Sequence, residues 1–213
     1  MEAYALTDTG RVRNMNQDYI YSSPERVGTL PNLFLVADGM GGHRAGDYAS
    51  RYTVENLVVY LHGQTQGSPV MQLKTGIREV NERLYEESRR REELKGMGCT
   101  LVAAVAEADT LYVANVGDSR LYLISGGAIR QITRDHSYVE EMVAMGRMDR
   151  GSEYYNSHKN IITRAMGIER AVEADFFEAE LHPGDYFLLC SDGLTNMVDD
   201  GTICRIVTGG GSL

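Results

Sequence analysis

The chain has 213 residues, of which 43% are hydrophobic and 24% charged, and its formal net charge is -9. This length suits one globular domain, which we place over residues 1–213. The acidic balance argues against a nucleic-acid partner, because the basic run at residues 89–91 lies between two pairs of glutamates on a helical pattern.

Cysteine usage and hydropathy indicate the compartment. Cys99, Cys190 and Cys204 show neither the CxxC spacing of a zinc site nor a disulfide framework, and buried, reduced thiols suit a reducing compartment. Residues 1–14 lack the charged-then-apolar pattern of a signal peptide, and no apolar run approaches the ~20 residues that span a bilayer. We expect a cytoplasmic protein without a membrane segment.

Strand and helix patterns follow one another along the chain. Strand patterns occupy residues 2–6 and 19–23, and residues 33–37 form a continuous apolar run of strand length. Two long helical patterns follow at residues 44–61 and 70–93. Shorter strand patterns then occupy residues 100–106, 110–116, 120–124, 129–132, 174–181 and 186–190.

Tight turns separate the later strands. The loops at residues 107–109, 117–119 and 125–127 are short, and so is the turn at residues 182–185. Turns of this length require antiparallel neighbours. We therefore predict a hairpin at each of them, and Asp118 would lie in a hairpin turn, where aspartate is common for local reasons.

Two Asp-Gly pairs each follow an apolar strand and precede a helical pattern. Asp38 ends the first such strand ahead of several glycines, which let the backbone approach a ligand closely. Asp192 ends a later strand in the same way, before a short helical pattern at residues 195–198. Two carboxylates with the Gly39 carbonyl and water would form an all-oxygen site suited to magnesium or manganese rather than zinc. For either pair alone, a plain strand–turn–helix connection is the alternative.

A polar segment between two predicted strands carries a candidate anion ligand. Residues 13–18 read RNMNQD, and the guanidinium of Arg13 suits bidentate contact with an oxyanion. A loop that caps its own backbone with asparagine and aspartate side chains is the alternative reading of this segment.

Residues 133–164 are the least regular part of the chain, apart from a helical pattern at residues 138–145. A long segment without strong periodicity inside a compact domain is more often a functional flap than a linker. The alternative is a surface excursion without a function of its own.

The order of the motifs resembles that of a known family. The motifs are RxxNxD, DGMGG, GCT, GDSR, DHS, NxITRAxG and PGDxxLLCSDGL, over residues 6–197. This series resembles bacterial members of the protein phosphatase 2C family, the metal-dependent serine/threonine phosphatases. The resemblance implies an α+β fold, a four-layer αββα sandwich of two antiparallel β-sheets flanked by helices. It also implies hydrolysis of phosphoserine and phosphothreonine in phosphorylated proteins, with two or three Mn²⁺ or Mg²⁺ ions as cofactors.

The resemblance implies a set of metal ligands. Asp38 would bridge two metal ions, with the Gly39 carbonyl on one and the Asp192 carboxylate on the other. Asp118 would bind a third, weaker metal near Asp192, and Asp18 would support the second metal through water.

The resemblance also implies how the substrate is held and attacked. Arg13 would bind the substrate phosphate, so that Arg13, Asp38 and Asp192 would be the catalytic residues. Residues 143–164 would be the flap that gates and selects substrates. Two divalent ions can lower the pKa of a bridging water enough to give hydroxide at neutral pH, and this hydroxide would attack phosphorus in line.

Three features depart from the family pattern. Gln17 stands where many relatives have an acidic residue, and Met40 where eukaryotic members have a histidine proposed as general acid. We do not assign the acid role to His43 or His136, because a lone histidine beside a turn is more often structural. The family's closing Gly-x-Asp-Asn element is not found before Leu213, so either the sequence is truncated or the domain lacks its last strand and one metal carboxylate.

Three functions stay open at this point. The first is a general phosphatase, which would be a monomer with a cognate Ser/Thr kinase and its substrates as partners. The second is a phosphatase dedicated to one regulator of the stress or sporulation type. The third is a catalytically dead phosphoprotein-binding module, which the missing carboxylate would explain. The intact RxxNxD and GDSR motifs favour the first.

Overall fold

The computed structural model describes residues 1–42 and 45–209, which form two antiparallel sheets and six α-helices. In chain order the strands are β1 (Asp18–Ser23), β2 (Leu33–Met40), β3 (Gly98–Cys99), β4 (Leu101–Glu107), β5 (Thr110–Val116), β6 (Arg120–Ser125), β7 (Ala128–Gln131), β8 (Asp175–Glu180) and β9 (Tyr186–Cys190). The helices are α1 (Ala45–His62), α2 (Pro69–Arg90), α3 (Tyr138–Ala144), α4 (Glu153–His158), α5 (Asp192–Thr195) and α6 (Asp200–Thr208), with a 3-10 turn at Glu92–Leu94.

The strands form a larger and a smaller sheet. The larger has the order β1-β2-β4-β5-β8, with β3 paired to the end of β2, and the smaller has the order β7-β6-β9. Helices α1 and α2 cover the outer face of the larger sheet, and α6 lies against β7 of the smaller one. This arrangement confirms the predicted α+β sandwich of two antiparallel sheets flanked by helices.

Strand β4 contributes to two hydrophobic cores. Leu101 and Val105 pack among the side chains of α1 and α2, whereas Val102 and Ala104 pack between the two sheets. Because both faces of the strand are buried, its sequence is a continuous apolar run instead of an apolar–polar alternation.

The long helices begin and end where local chemistry allows. Helix α1 matches the prediction over residues 44–61, although Arg44 lies outside the described residues. Ser68 caps α2 by accepting a hydrogen bond from the Met71 N–H, and proline follows at the first helical position. The predicted end of this helix at residue 93 is wrong, because Arg91 is extended (φ -120°, ψ 113°) and ends the helix.

The hairpins predicted at residues 107–109 and 125–127 are confirmed, and the other two are wrong. Strands β5 and β6 lie in different sheets, and so do β8 and β9. Residues 117–119 and 182–185 are therefore corners between the sheets, so Asp118 does not lie in a hairpin turn. Loop length does not distinguish a hairpin from a corner between packed sheets.

Two local predictions near the ends of the chain are also wrong. Residues 2–6 form no strand, because no strand among the described residues pairs with them, and Leu6 is 90% exposed. Helix α5 begins at Asp192 instead of Thr195, because the extended Ser191, directly after β9, is its N-cap residue. The single domain and the flap at residues 143–164 stay predictions, and the flap contains α4 after the end of α3.

Candidate active site

Strand register places two aspartates opposite each other. Asp18 is the first residue of β1, and its partner across the antiparallel pair is Asp38 of β2. Directly opposed residues of such a pair have Cα atoms roughly 4.5–5.5 Å apart, with both side chains on one face. Two carboxylates from separate motifs therefore share one end of the larger sheet.

The end of β2 lies so close to the start of α1 that only glycine fits there. The Gly39 N–H donates to the Gln17 carbonyl at 3.0 Å, and a Cβ on Gly39 would lie 2.0 Å from the Gly46 carbonyl oxygen. A Cβ on Gly46 would in turn lie 2.5 Å from the Gln17 side chain. The lack of side chains at both positions lets α1 start beside the two aspartates.

Asp192 follows a strand of the smaller sheet and lies near Asp18 and Asp38. It is the first residue of α5, directly after β9 and Ser191. The Ser191 hydroxyl donates to Asp18 Oδ2 at 2.7 Å, and the Asn196 amide donates to Asp192 Oδ2 at 2.9 Å. The hydrogen bond from Ser191 ties the end of β9 to the start of β1, and so joins the two sheets at their carboxylates.

Asp118 lies at the first corner between the sheets, where a pair of buried hydroxyls connects it to Asp38. The Asp38 N–H donates to Thr100 Oγ1 at 2.9 Å, and the Thr100 N–H donates to the Asp38 carbonyl at 2.8 Å. The Thr100 and Ser119 hydroxyls are 2.7 Å apart. Gly117 has φ +104°, and a Cβ there would lie 2.7 Å from the Thr100 side chain. The corner at residues 117–119 is thus packed directly against Thr100, which immediately precedes β4.

The pKa values show that the aspartates act on one another. Burial, the charges of Asp18, Asp192 and Asp118, and a hydrogen bond with Asp192 together raise the pKa of Asp38 to about 8, and burial is the largest of these causes. Burial likewise raises the pKa of Asp118 to about 7, together with the charges of Asp192 and Asp135. We call Asp18, Asp38, Asp118 and Asp192 the carboxylate cluster. The charged form of the cluster is unfavourable unless protons or cations neutralise it.

The cluster offers the donor chemistry of a hard divalent cation. Its side chains present only oxygen, which suits magnesium and manganese. In the part of the chain that the structure describes, no three His, Cys, Asp or Glu side chains are arranged as a ready group of metal ligands. The raised pKa of Asp38 nevertheless identifies a place where a cation would stabilise the ionised carboxylates.

The other candidate residues form no hydrogen bond with the cluster among the described residues, or lie outside them. Arg13 is exposed and forms no hydrogen bond or ion pair within residues 1–42 and 45–209. His136 is buried, accepts the Gly117 N–H at Nδ1 (3.0 Å) and faces Asp175 through Nε2 (3.3 Å), as expected of a structural histidine. Burial lowers its pKa, as does the charge of Arg164. His43 lies outside the described residues.

Sequence reasoning missed the residues that hold the carboxylates in place. Ser119 and Ser191 lie inside motifs, but their partners Thr100 and Asp18 lie in other parts of the chain, and Asn196 lies just after the last motif. It also missed a buried ion pair behind Asp118, in which Arg120 donates to both carboxylate oxygens of Asp135 at 2.7–3.0 Å. The signal was present, because the GDSR and DHS motifs supply one partner each.

Comparison with known proteins identifies the family. The family described as Protein phosphatase 2C matches residues 10–207. With the sandwich fold and the carboxylate cluster, this match shows that the chain is an enzyme of the Protein phosphatase 2C family.

Individual relatives agree with this membership. The chain is 40% identical over 215 residues to "Serine/threonine phosphatase stp" of Listeria innocua, covering 97% of this chain and 83% of that protein. The crystal structure of Stp1 from Staphylococcus aureus has a TM-score of 0.90 at 36% identity, covering 98% of this chain and 82% of the other. A structure of the catalytic domain of PstP in complex with 2 manganese ions has a TM-score of 0.79 at 34% identity, covering 93% and 80%. Among the described residues, no helix is both long and apolar enough to cross a membrane.

Proposed function

We propose that the chain is a metal-dependent phosphatase that hydrolyses phosphoserine and phosphothreonine in proteins. The convergence of four aspartates from both sheets, with the pKa of Asp38 raised to about 8, carries this proposal. The names of the relatives support the substrate class, since the Listeria innocua relative is a serine/threonine phosphatase. The 2 manganese ions in the PstP complex support Mn²⁺ or Mg²⁺, in two or three copies, as the cofactor.

Each aspartate has a role in this proposal. Asp38 would bridge two ions, Asp192 and the Gly39 carbonyl would each hold one of them, and Asp118 would hold a third. Asp18 would act through water, since its Oδ2 already accepts the Ser191 hydroxyl. Bound divalent cations supply Lewis acidity, which lowers the pKa of water enough to give hydroxide at neutral pH and offsets charge on the phosphoryl oxygens.

Arg13 would bind the phosphate of the substrate. Its exposed guanidinium lies five residues before Asp18 and is available for a bidentate contact with an oxyanion.

The direct test is hydrolysis of p-nitrophenyl phosphate with Mn²⁺. We expect Asp38→Ala and Asp192→Ala to lower kcat by more than about 100-fold, because each removes a ligand that stabilises the transition state. Asp109→Ala, in the exposed turn between β4 and β5, is the matched control and should retain activity. Turnover that survives the loss of Asp38 would disprove the site.

Calorimetry with Mn²⁺ separates the alternatives. Two or more bound ions argue for an enzyme, and none or one argues for a phosphoprotein-binding module. A phosphatase dedicated to one regulator would bind the same ions and hydrolyse p-nitrophenyl phosphate, but it would discriminate strongly among phosphoproteins. We propose a cognate Ser/Thr kinase and its substrates as partners of a monomeric enzyme, and light scattering of the purified chain tests the monomer.

A further inference from the structure

The flap, residues 143–164, is attached at its middle to one buried carboxylate. Glu140 of α3 is 6% exposed and accepts two hydrogen bonds from Arg150, at 2.6 and 3.0 Å. The Tyr155 hydroxyl donates to the same carboxylate at 2.6 Å. Both donors belong to the flap, whereas Glu140 precedes it. These hydrogen bonds lower the pKa of Glu140 despite its burial, so the carboxylate is charged at neutral pH.

The rest of the flap is held by backbone hydrogen bonds and by one tyrosine pair. Its return end is fixed by backbone hydrogen bonds, from the Tyr138 N–H to the Ile161 carbonyl and from the Thr163 N–H to the His136 carbonyl, both at 2.8 Å. Between these ends Met145 is 62% exposed and Tyr154 is 49% exposed, and a side-chain hydrogen bond joins Tyr154 to Tyr138 of α3. The contacts of Glu140 are the buried, charged attachment of the middle of the flap.

This attachment point shares a cavity with the Arg120–Asp135 ion pair. A cavity of about 520 Å³ lies between the flap and the smaller sheet, lined by Arg120, Asp135, Glu140, Arg150 and Tyr155 among other residues. Asp135 in turn lies close enough to Asp118 for its charge to raise the pKa of Asp118. A shift of the flap would therefore change the surroundings of the Arg120–Asp135 pair, whose arginine lies two residues after Asp118 in the chain.

We propose that Glu140 is a positioning residue for protein substrates: by holding Arg150 and Tyr155 it fixes the flap against the cavity that Arg120 and Asp135 line. It does not touch the reacting phosphate. The inference rests on the proposed phosphatase function and adds a determinant of substrate selection to it. We expect a small ester to reach the metal site without contacting the flap, so loss of Glu140 should affect a phosphoprotein and spare p-nitrophenyl phosphate.

The test compares Glu140→Gln with Glu141→Gln, an exposed neighbour on the same helix. In Glu140→Gln we expect amide hydrogen exchange over residues 147–158 to become about 10-fold faster, and KM for phosphorylated casein to change by 3-fold or more. We expect kcat for p-nitrophenyl phosphate to stay within about 2-fold. Glu141→Gln should match the wild type in all three measurements.

Arg150→Lys is a second variant, which cannot unfold the core because Arg150 is largely exposed. Lysine keeps the charge but loses the fork of donors, so its exchange rate and KM should fall between wild type and Glu140→Gln. Unchanged flap exchange in Glu140→Gln overturns the inference, and so does faster exchange without a change in KM for casein. If the wild type does not hydrolyse p-nitrophenyl phosphate, the proposed function fails, while the exchange data still decide whether Glu140 holds the flap.

Discussion

The carboxylate cluster and the flap attachment both depend on buried or half-buried acids, but the acids are neutralised differently. Hydroxyl and amide groups hold Asp18 and Asp192, and the pKa of Asp38 between them is raised to about 8. Glu140 has its own arginine, and its pKa is lowered. Neutral hydrogen-bond donors orient a carboxylate without neutralising its negative charge, so the carboxylate can still bind a cation. A guanidinium neutralises that charge in a structural ion pair. The comparison separates a ligand site from a structural ion pair.

The largest effect should come from closing the space between β2 and α1. In Gly39→Ala the new Cβ would lie 2.0 Å from the Gly46 carbonyl oxygen, so strand or helix must move and displace Asp38. We expect activity with Mn²⁺ to fall more than 100-fold and the free energy of unfolding to fall by about 2 kcal/mol. Gly42→Ala in the same motif is the control, because nothing lies within 4 Å of its Cβ position. Equal activity in the two variants would show that the packing does not position the site.

A smaller effect should follow from cutting the link between Asp38 and the sheet corner. Thr100→Val keeps the shape of the side chain but leaves the Asp38 N–H and the buried Ser119 hydroxyl without their partner. We expect the free energy of unfolding to fall by about 1–3 kcal/mol. We also expect the Kd for Mn²⁺, measured by calorimetry, to rise roughly tenfold, because the loss of one hydrogen bond costs about as much free energy as a tenfold change in affinity. Thr110→Val, at the more open start of β5, should leave Mn²⁺ binding unchanged.

The smallest effect is on thermal stability, and it depends on pH. Because the pKa of Asp38 is raised from 3.8 to about 8, the folded metal-free chain binds more protons than the unfolded chain between these values. Its stability should therefore fall as pH rises through this range. In EDTA, we expect Tm to fall as the pH is raised from 5 to 8. This fall should be larger in the wild type than in Asp38→Asn, by at least ~3 °C. Saturating Mn²⁺ should remove this difference, and a Tm that rises more in the wild type would contradict the proposed electrostatics.

Much of the fold could be predicted from sequence, because most elements carry their own signal. Strands β5 and β9 match their predicted bounds, and α1 follows from the apolar spacing of its buried face. The sheet assignment could not be predicted, because the corner at residues 117–119 has the length and composition of a hairpin turn. The two differ in packing against Thr100, which is distant in sequence.

The candidate site shows the same division. Asp38 and Asp192 stand at strand ends, where an Asp-Gly break is visible in the sequence, and the motif series extends this to Asp18 and Asp118. The groups that orient them could not be predicted, since a serine or an asparagine in a motif does not reveal which carboxylate it contacts. Glu140 escaped notice for a similar reason, because burial and its partners Arg150 and Tyr155 become apparent only once the flap folds back.

The hydrogen bond from Ser191 to Asp18 has a consequence for how the protein is made. Its two residues are 173 positions apart in the chain. Contacts of such long range form late, because a large loop must close before they can contribute. As the chain leaves the ribosome, Asp18 and Asp38 emerge well before Asp192 has been synthesised. The nascent polypeptide therefore cannot assemble the complete cluster until nearly all of the described residues have been synthesised.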